Sequence, residues 1–276
     1  MGETTSEPEI VEGAAPVATS IADLDELIWN PISTAAVARA HPRFDELVLD
    51  ACARDGASAL PTAELVGIGG LVDAVDGSAE LIEIARERAG ERMPQLKLHV
   101  ADATTWETTG YDLVQCVLGV ASFPDLDAGT QHLIERAAPG GRVAITVWAP
   151  GALEPLRGLV ATALHDGDPA ADEPDTAAPD TAAPDAGALH SPGSLAHWLT
   201  VLGLIGVRAE TVQRHLDLTD EIAWSLVLVT SLRDALGDLD DDAVAEVRKR
   251  VLAALAARGA TSVDLTTLIA VGQRPA

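Results

Sequence analysis

Aromatic residues are scarce in this chain: two Phe, one Tyr and five Trp make up 3% of its 276 residues. A core must therefore come from aliphatic and alanine packing, for which a 47% hydrophobic content is ample. Lysine is almost missing, present only as Lys97 and Lys249. With 43 acidic against 18 basic residues, the net charge is −25. Such a surface repels phosphate backbones and anionic lipid, so neither nucleic acid nor a membrane is expected as a partner. Only two cysteines occur, Cys52 and Cys116, too few for a disulfide framework and without metal-ligand spacing, so no metal is expected. No apolar run approaches the ~18 residues of a membrane span, and residues 1–20 lack a signal-peptide core. The expectation is a reduced, soluble, cytoplasmic protein. Zinc motifs, a P-loop and catalytic-triad signatures are also missing.

What is present is a β/α alternation. Residues 1–20 are acidic and Pro-containing and read as a disordered tail. Residues 21–40 read as two short helices broken at Asn30-Pro31. Apolar runs predict strands at Glu46–Cys52, Leu71–Val75, Leu96–Val100, Tyr111–Leu118 and Arg142–Trp148. Between them, helices are predicted at Gly56–Val66, Ala79–Ala89 and Asp127–Ala138. Strands alternating with helices imply right-handed crossovers and a parallel sheet. After a helix at Ala152–Leu164, residues 165–193 carry the Asp-Ala-Pro repeat DTAAPDTAAPD and read as a flexible acidic linker. Residues 194–276 then supply helices at Ser194–Gly203, near Asp220–Leu236 and at Asp240–Arg258, with strands at Val207–Leu218 and Leu265–Val271. The reading is one α/β domain, residues 21–164 and 194–276, with a Rossmann-like seven-stranded sheet whose last strand runs antiparallel.

Five blocks in order, VLDACARDGASALP, LVDAVDGSAELIEIARERA, LHVADATTWE, YDLVQCVLGVASFPD and AAPGGRVAITVWAPG, resemble the class I S-adenosylmethionine (SAM)-dependent methyltransferase family. The resemblance implies roles for single residues. Asp76, ending the second strand, matches the acid that binds both ribose hydroxyls of SAM. Asp102 matches the contact to the adenine amine. Val117, Leu118 and Gly119 match the segment beneath the methionine part. From the residues alone, Asp76 serves as well as a helix N-cap beside Ser78, and Asp102 as a turn residue.

The first loop departs from the family's pattern of D-x-G-x-G-x-G. It reads Asp50-Ala51-Cys52-Ala53-Arg54-Asp55-Gly56, so Cys52 and Arg54 stand where two glycines belong and only Gly56 survives. The expectation is that Arg54 fills the methionine half of the pocket, and that Asp55 sets a negative charge where SAM's carboxylate would sit. No cofactor is then expected. The pocket would be repurposed for a hydrophobic polyketide, walled by Trp29, Asn30, Arg54, Leu118, Trp148, Trp198 and Trp224. This reading resembles a degenerate branch of the family, the cofactor-independent cyclases of polyketide and tetronasin-type polyether antibiotic biosynthesis, and implies pericyclic or rearrangement-type ring closure. The alternative is a SAM-dependent methyltransferase of a small natural product. His190, His197 and Asn30 are the candidate catalytic residues under either reading. Asp50, Cys52, Arg54, Gly56, Asp76, Asp102 and Gly119 would be the remnants of the cofactor site. The sequence leaves the substrate and the oligomeric state open.

Overall fold

A computed structural model describes residues 24–165 and 189–276. The expected tail at 1–20 and nearly all of the acidic segment 165–193 lie outside the described residues. Where that segment re-enters, Leu189 is already buried and Pro192 opens a helix.

A π-helical turn, Asp25–Trp29, runs directly into α1, Asn30–Ala40. The expected break at Asn30-Pro31 does not occur. Asn30 keeps helical angles, φ −62° and ψ −45°. Pro31 lies inside this continuous helical run and cannot donate to the turn before it; the carbonyl of Leu27, four residues back, accepts from Arg214 at 2.7 Å instead, and the wider π turn leaves room for the ring. Then follow β1 (Leu47–Ala51), α2 (Ala59–Val66), β2 (Leu71–Asp76), α3 (Ala79–Ala89), β3 (Leu96–Val100), β4 (Tyr111–Val117), α4 (Leu126–Arg136) and β5 (Ala137–Trp148). The chain continues through α5 (Leu156–His165), α6 (Pro192–Val201), β6 (Ile205–Val212), β7 (His215–Asp217) and α7 (Asp220–Val229). A 3-10 turn (Ser231–Leu236), α8 (Asp241–Arg258), β8 (Ser262–Asp264) and β9 (Thr267–Gln273) complete it.

Seven strands form one sheet in the order β3-β2-β1-β4-β5-β9-β6. The first five are parallel, and β9 is antiparallel to both β5 and β6. This is the Rossmann-like seven-stranded mixed sheet expected from the strand pattern. The central strands are buried on both faces, as helices on both sides require. One layer of core joins β4 and β5 to α4 and α6. The other joins β1 and β2 to α1 and α2. A third core lies off the sheet and gathers the π turn, α5, α7 and α8 around Leu226, Val251 and Leu156. It forms a cap over the ends of the parallel strands. Its two-stranded sheet, β7 with β8, was not foreseen: the expected strand Val207–Leu218 is two strands that pair with different partners.

The chain entering the sheet is fastened by Arg142 on β5. Its guanidinium donates to Glu46 Oε1 at 2.9 Å and Oε2 at 2.7 Å, and to the carbonyls of Ala40 and His41. Burial pushes the Glu46 carboxyl up, but the bonds from Arg142 and from the Arg43 N–H outweigh it and hold it below its ordinary value. Removing one partner of such a pair strands the other charge. Arg142→Met is expected to cost about 3 kcal/mol in chemical denaturation. The lowered Glu46 value contributes stability that is present above its unfolded value and lost as pH falls, so the variant should also lose part of the acid-side slope.

Candidate active site

The carboxyl ends of β1, β2, β3 and β4 open beneath the cap, the position at which open parallel sheets bind ligands. There a cavity of about 1020 Å³ is lined by the loop after β1, by Asp76, Asp102, Leu118 and Gly119, and from the cap by Trp29, Trp148, Leu228 and Arg233. This is at the upper end of the about 300–1,000 Å³ usual for small-molecule sites.

The loop after β1 keeps the turn that glycines normally allow, although two glycines are gone. Cys52 has φ 59°, Arg54 φ 51° and Gly56 φ 86°. The left-handed region costs a non-glycine residue roughly 1–2 kcal/mol. The compensation is hydrogen bonding. The Ala53 N–H donates to the Val75 carbonyl, and the Arg54 N–H to Asp76 Oδ2 at 2.9 Å. The second oxygen of Asp76 accepts from the Ser78 N–H, also at 2.9 Å, while the Ser78 hydroxyl caps α3. The two sequence readings of Asp76 are thus compatible, because its carboxylate organises the helix start and still lines the cavity. Asp102 likewise caps a short 3-10 turn through Oδ1 while lining the cavity.

The Arg54 side chain lines the cleft. Its side chain leaves the loop, and the guanidinium carbon lies 4.7 Å over the Trp29 ring. Trp29 in turn meets Trp148 at 6.5 Å between ring centroids. Asp55 differs from expectation: its carboxylate pairs with Arg88 on α3, so its charge is compensated. The same guanidinium donates to the Asp55 carbonyl, to Asn30 Oδ1 at 3.2 Å and to Asp25 Oδ2 at 3.4 Å. Burial, then repulsion from Asp55, pushes the Asp25 carboxyl up to about 6 against the pull of Arg88. Asp25 and Arg88 were missed in the sequence. Leu81, Ile84 and Arg88 follow helical spacing along one stripe of α3, which was the available signal.

Gly119 is required for close approach. A Cβ there would come within 2.4 Å of Cys52 Cβ and 2.9 Å of Cys116 Sγ. Beneath the loop, Asp50 is fully buried and accepts a 2.7 Å bond from the Ser58 hydroxyl.

Other expected residues lie elsewhere. Trp198 is buried in the core beside α4, its Nε1–H donating to Asp127 at 2.6 Å. Trp224 is buried in the cap core. Neither lines the cavity, because their helices turn those faces into packing. His197 is exposed on α6, which packs on β6 and β9 at the far edge of the sheet, and His190 is exposed outside the cavity lining. Asn30 faces Arg88 rather than the cavity wall. Trp29, Arg54, Leu118 and Trp148 do line it. Among the described residues, no cluster could hold a metal ion and no helix is long and apolar enough to cross a membrane.

Residues 48–141 match the family model of a methyltransferase domain. The chain is similar to nocamycin O-methyltransferase of Saccharothrix syringae, 29% identical over 190 residues, which cover 65% of this chain and 66% of that one. It therefore spans slightly less than two thirds of that relative's length. In fold it is similar to the YcgJ protein of Bacillus subtilis, with a TM-score of 0.57 at 14% identity, covering 89% of this chain and 99% of the other. It is also similar in fold to the [4+2]-cyclase SpnF, with a TM-score of 0.50 at 15% identity, covering 89% and 81%. The fold is that of class I methyltransferase structures, and within it residues 48–141 are similar to a methyltransferase domain. The likeness to a cyclase is one of fold alone, so the sequence match favours the methyltransferase reading over the cyclase, and the expectation of no cofactor has no support from it.

Asp50 gives a pH test of the loop's foundation. Burial pushes its carboxyl up to about 7 despite the bond from Ser58. A raised acid penalises the fold once it must ionise: the penalty starts above the unfolded value and is complete above about pH 7. Asp50→Asn, which keeps an oxygen for Ser58, should therefore be more favourable at about pH 8 than at about pH 5, by roughly 2–4 kcal/mol. Parallel denaturation curves at the two pH values would show it; equal differences would place the ionised Asp50 in a better-solvated site.

Proposed function

We propose that the protein is a SAM-dependent methyltransferase acting on a small molecule. The observation that carries this reading is the loop after β1: it holds the left-handed backbone at Cys52, Arg54 and Gly56 and leaves Asp76 and Asp102 on one cavity with Leu118 and Gly119. The residues present fit the cofactor. Asp76 has lone pairs remaining on both oxygens for the ribose hydroxyls, and both bonds of Asp102 fall on Oδ1, leaving Oδ2 for the adenine amine. When bound, SAM supplies an electrophilic methyl group on a sulfonium cation.

The chain's own residues do the rest. Six carboxylates against two arginines line the cavity, which favours a cation there. The cap and the aromatic pair Trp29 and Trp148 wall one side of the cavity, where a bound substrate displaces water and strengthens the charge interactions around it. Holding acceptor and donor in line converts a bimolecular step into a unimolecular one. Asp25 on the cap side, with its raised carboxyl, could accept a proton from an acceptor hydroxyl near neutral pH. The finer reading, an acceptor drawn from natural-product biosynthesis, is supported by the similarity to nocamycin O-methyltransferase.

A second reading is kept by two observations. Both glycines replaced in the loop, together with the fold likeness to a [4+2]-cyclase, suit a SAM-independent cyclase acting on a polyketide. The two readings separate in one experiment. Under the methyltransferase reading, S-adenosylhomocysteine at millimolar concentration raises the melting temperature, because a ligand stabilises the state that binds it. Asp76→Ala should abolish that shift. A product heavier than its substrate by one methylene completes the case; no shift with the wild-type protein and a product of unchanged mass would favour the cyclase.

A further inference from the structure

Arg54 is more deliberately placed than a displaced side chain needs to be. Its backbone is pinned in the left-handed region by Asp76, and its guanidinium lies over Trp29 on the cavity wall. Among the described residues, that guanidinium makes no hydrogen bond, and its Nε is buried without a partner. The neighbouring carboxylates are already engaged. Asp25 and Asp55 share Arg88, and Asp76 is bonded to the backbone of Arg54 and Ser78. A buried guanidinium N–H without an acceptor is costly, and an aromatic ring offers its charge only the ring face, not a bond in the guanidinium plane. Nε is shut off from the cavity and Asp25 attracts the charge from a distance, but the terminal nitrogens line the cavity with no hydrogen bond and can take an acceptor from a bound molecule.

We propose that Arg54 is a receptor for a carboxylate on a molecule bound in the cavity, gripped by its two terminal nitrogens with Trp29 as platform. Arginine suits this task because its planar fork matches a carboxylate bidentately while its face stacks on an aromatic ring. The carboxylate has two possible sources, the methionine part of SAM and an acid group on the acceptor substrate. The first source rests on the methyltransferase reading; the second does not.

The test is calorimetry on the wild type, Arg54→Gln and Arg54→Gly. Glycine is at ease at φ 51°, so the second variant guards against a folding defect. The ligands are S-adenosylhomocysteine and 5′-methylthioadenosine, which keeps the adenine, ribose and thioether but lacks the amino-acid part. If Arg54 receives the cofactor's carboxylate, both variants lose roughly ten- to hundredfold in affinity for the first ligand and none for the second. A second arm titrates 2-naphthoate and its methyl ester, read by quenching of tryptophan fluorescence. If the acid belongs to the acceptor, the wild type prefers the carboxylate over the ester, and both variants lose that preference while S-adenosylhomocysteine affinity is unchanged. Unchanged nucleoside affinities together with an unchanged carboxylate preference would overturn the proposal. Should neither nucleoside bind the wild type, the methyltransferase reading falls, and the naphthoate arm alone decides the role of Arg54.

Discussion

The carboxylate of Asp76 is the fastening on which the cavity depends. One oxygen takes the backbone N–H of Arg54 and the other that of Ser78. The end of β2, the turn after β1 and the start of α3 are thereby set relative to one another by a single side chain. Bonds to an ionised acceptor are worth roughly 1.5–3 kcal/mol each, enough to offset the left-handed backbone at Cys52 and Arg54. Without that clasp a turn stripped of two glycines would relax into the ordinary helical or extended regions. The floor of the cavity would then go with it, since Gly119 rests against Cys52.

A second knot fixes the wall opposite. Arg88 reaches from α3 to Asp55 on the turn and to Asp25 and Asn30 on the entering helix. Two carboxylates around one guanidinium leave a surplus negative charge, and part of it is relieved by the proton that Asp25 holds up to about pH 6. Beside this knot, Trp29 joins Arg54 to Trp148 at the end of β5. The entering helix is therefore held to the sheet through polar and aromatic contacts at the site itself, while its apolar side contributes to the cap core.

The sheet was legible in the sequence because its strands are short apolar runs punctuated by turn residues. β1 to β4 fall within one or two residues of expectation, and β9 runs antiparallel as read. β5 begins earlier than Arg142 because the ladder with β4 continues to Ala137 through an irregularity that no periodicity reveals. The cap's helices were legible too, but its small sheet was not. β7 and β8 are three residues each and meet across a long stretch of chain, so neither carries a pattern of its own. Within the site, Arg54 and Asp76 could be found from the loop's departure from its glycines. The direction of the Arg54 side chain could not, because Trp29 is supplied by a helix distant in sequence. The tryptophans misled where they are packing residues: Trp198 and Trp224 look like pocket walls in composition and are core in space.

Replacing glycines in the turn after β1 also changes what the empty protein does. A glycine samples both halves of conformational space, and that freedom must be surrendered when a ligand orders the turn. Cys52 and Arg54 are already confined, one against Gly119 and the other between Asp76 and Trp29. The turn thus enters each encounter pre-shaped, with little ordering entropy left to lose. Such rigidity narrows the set of molecules the cavity can accommodate, because a turn that cannot adapt selects by fit rather than by adjustment.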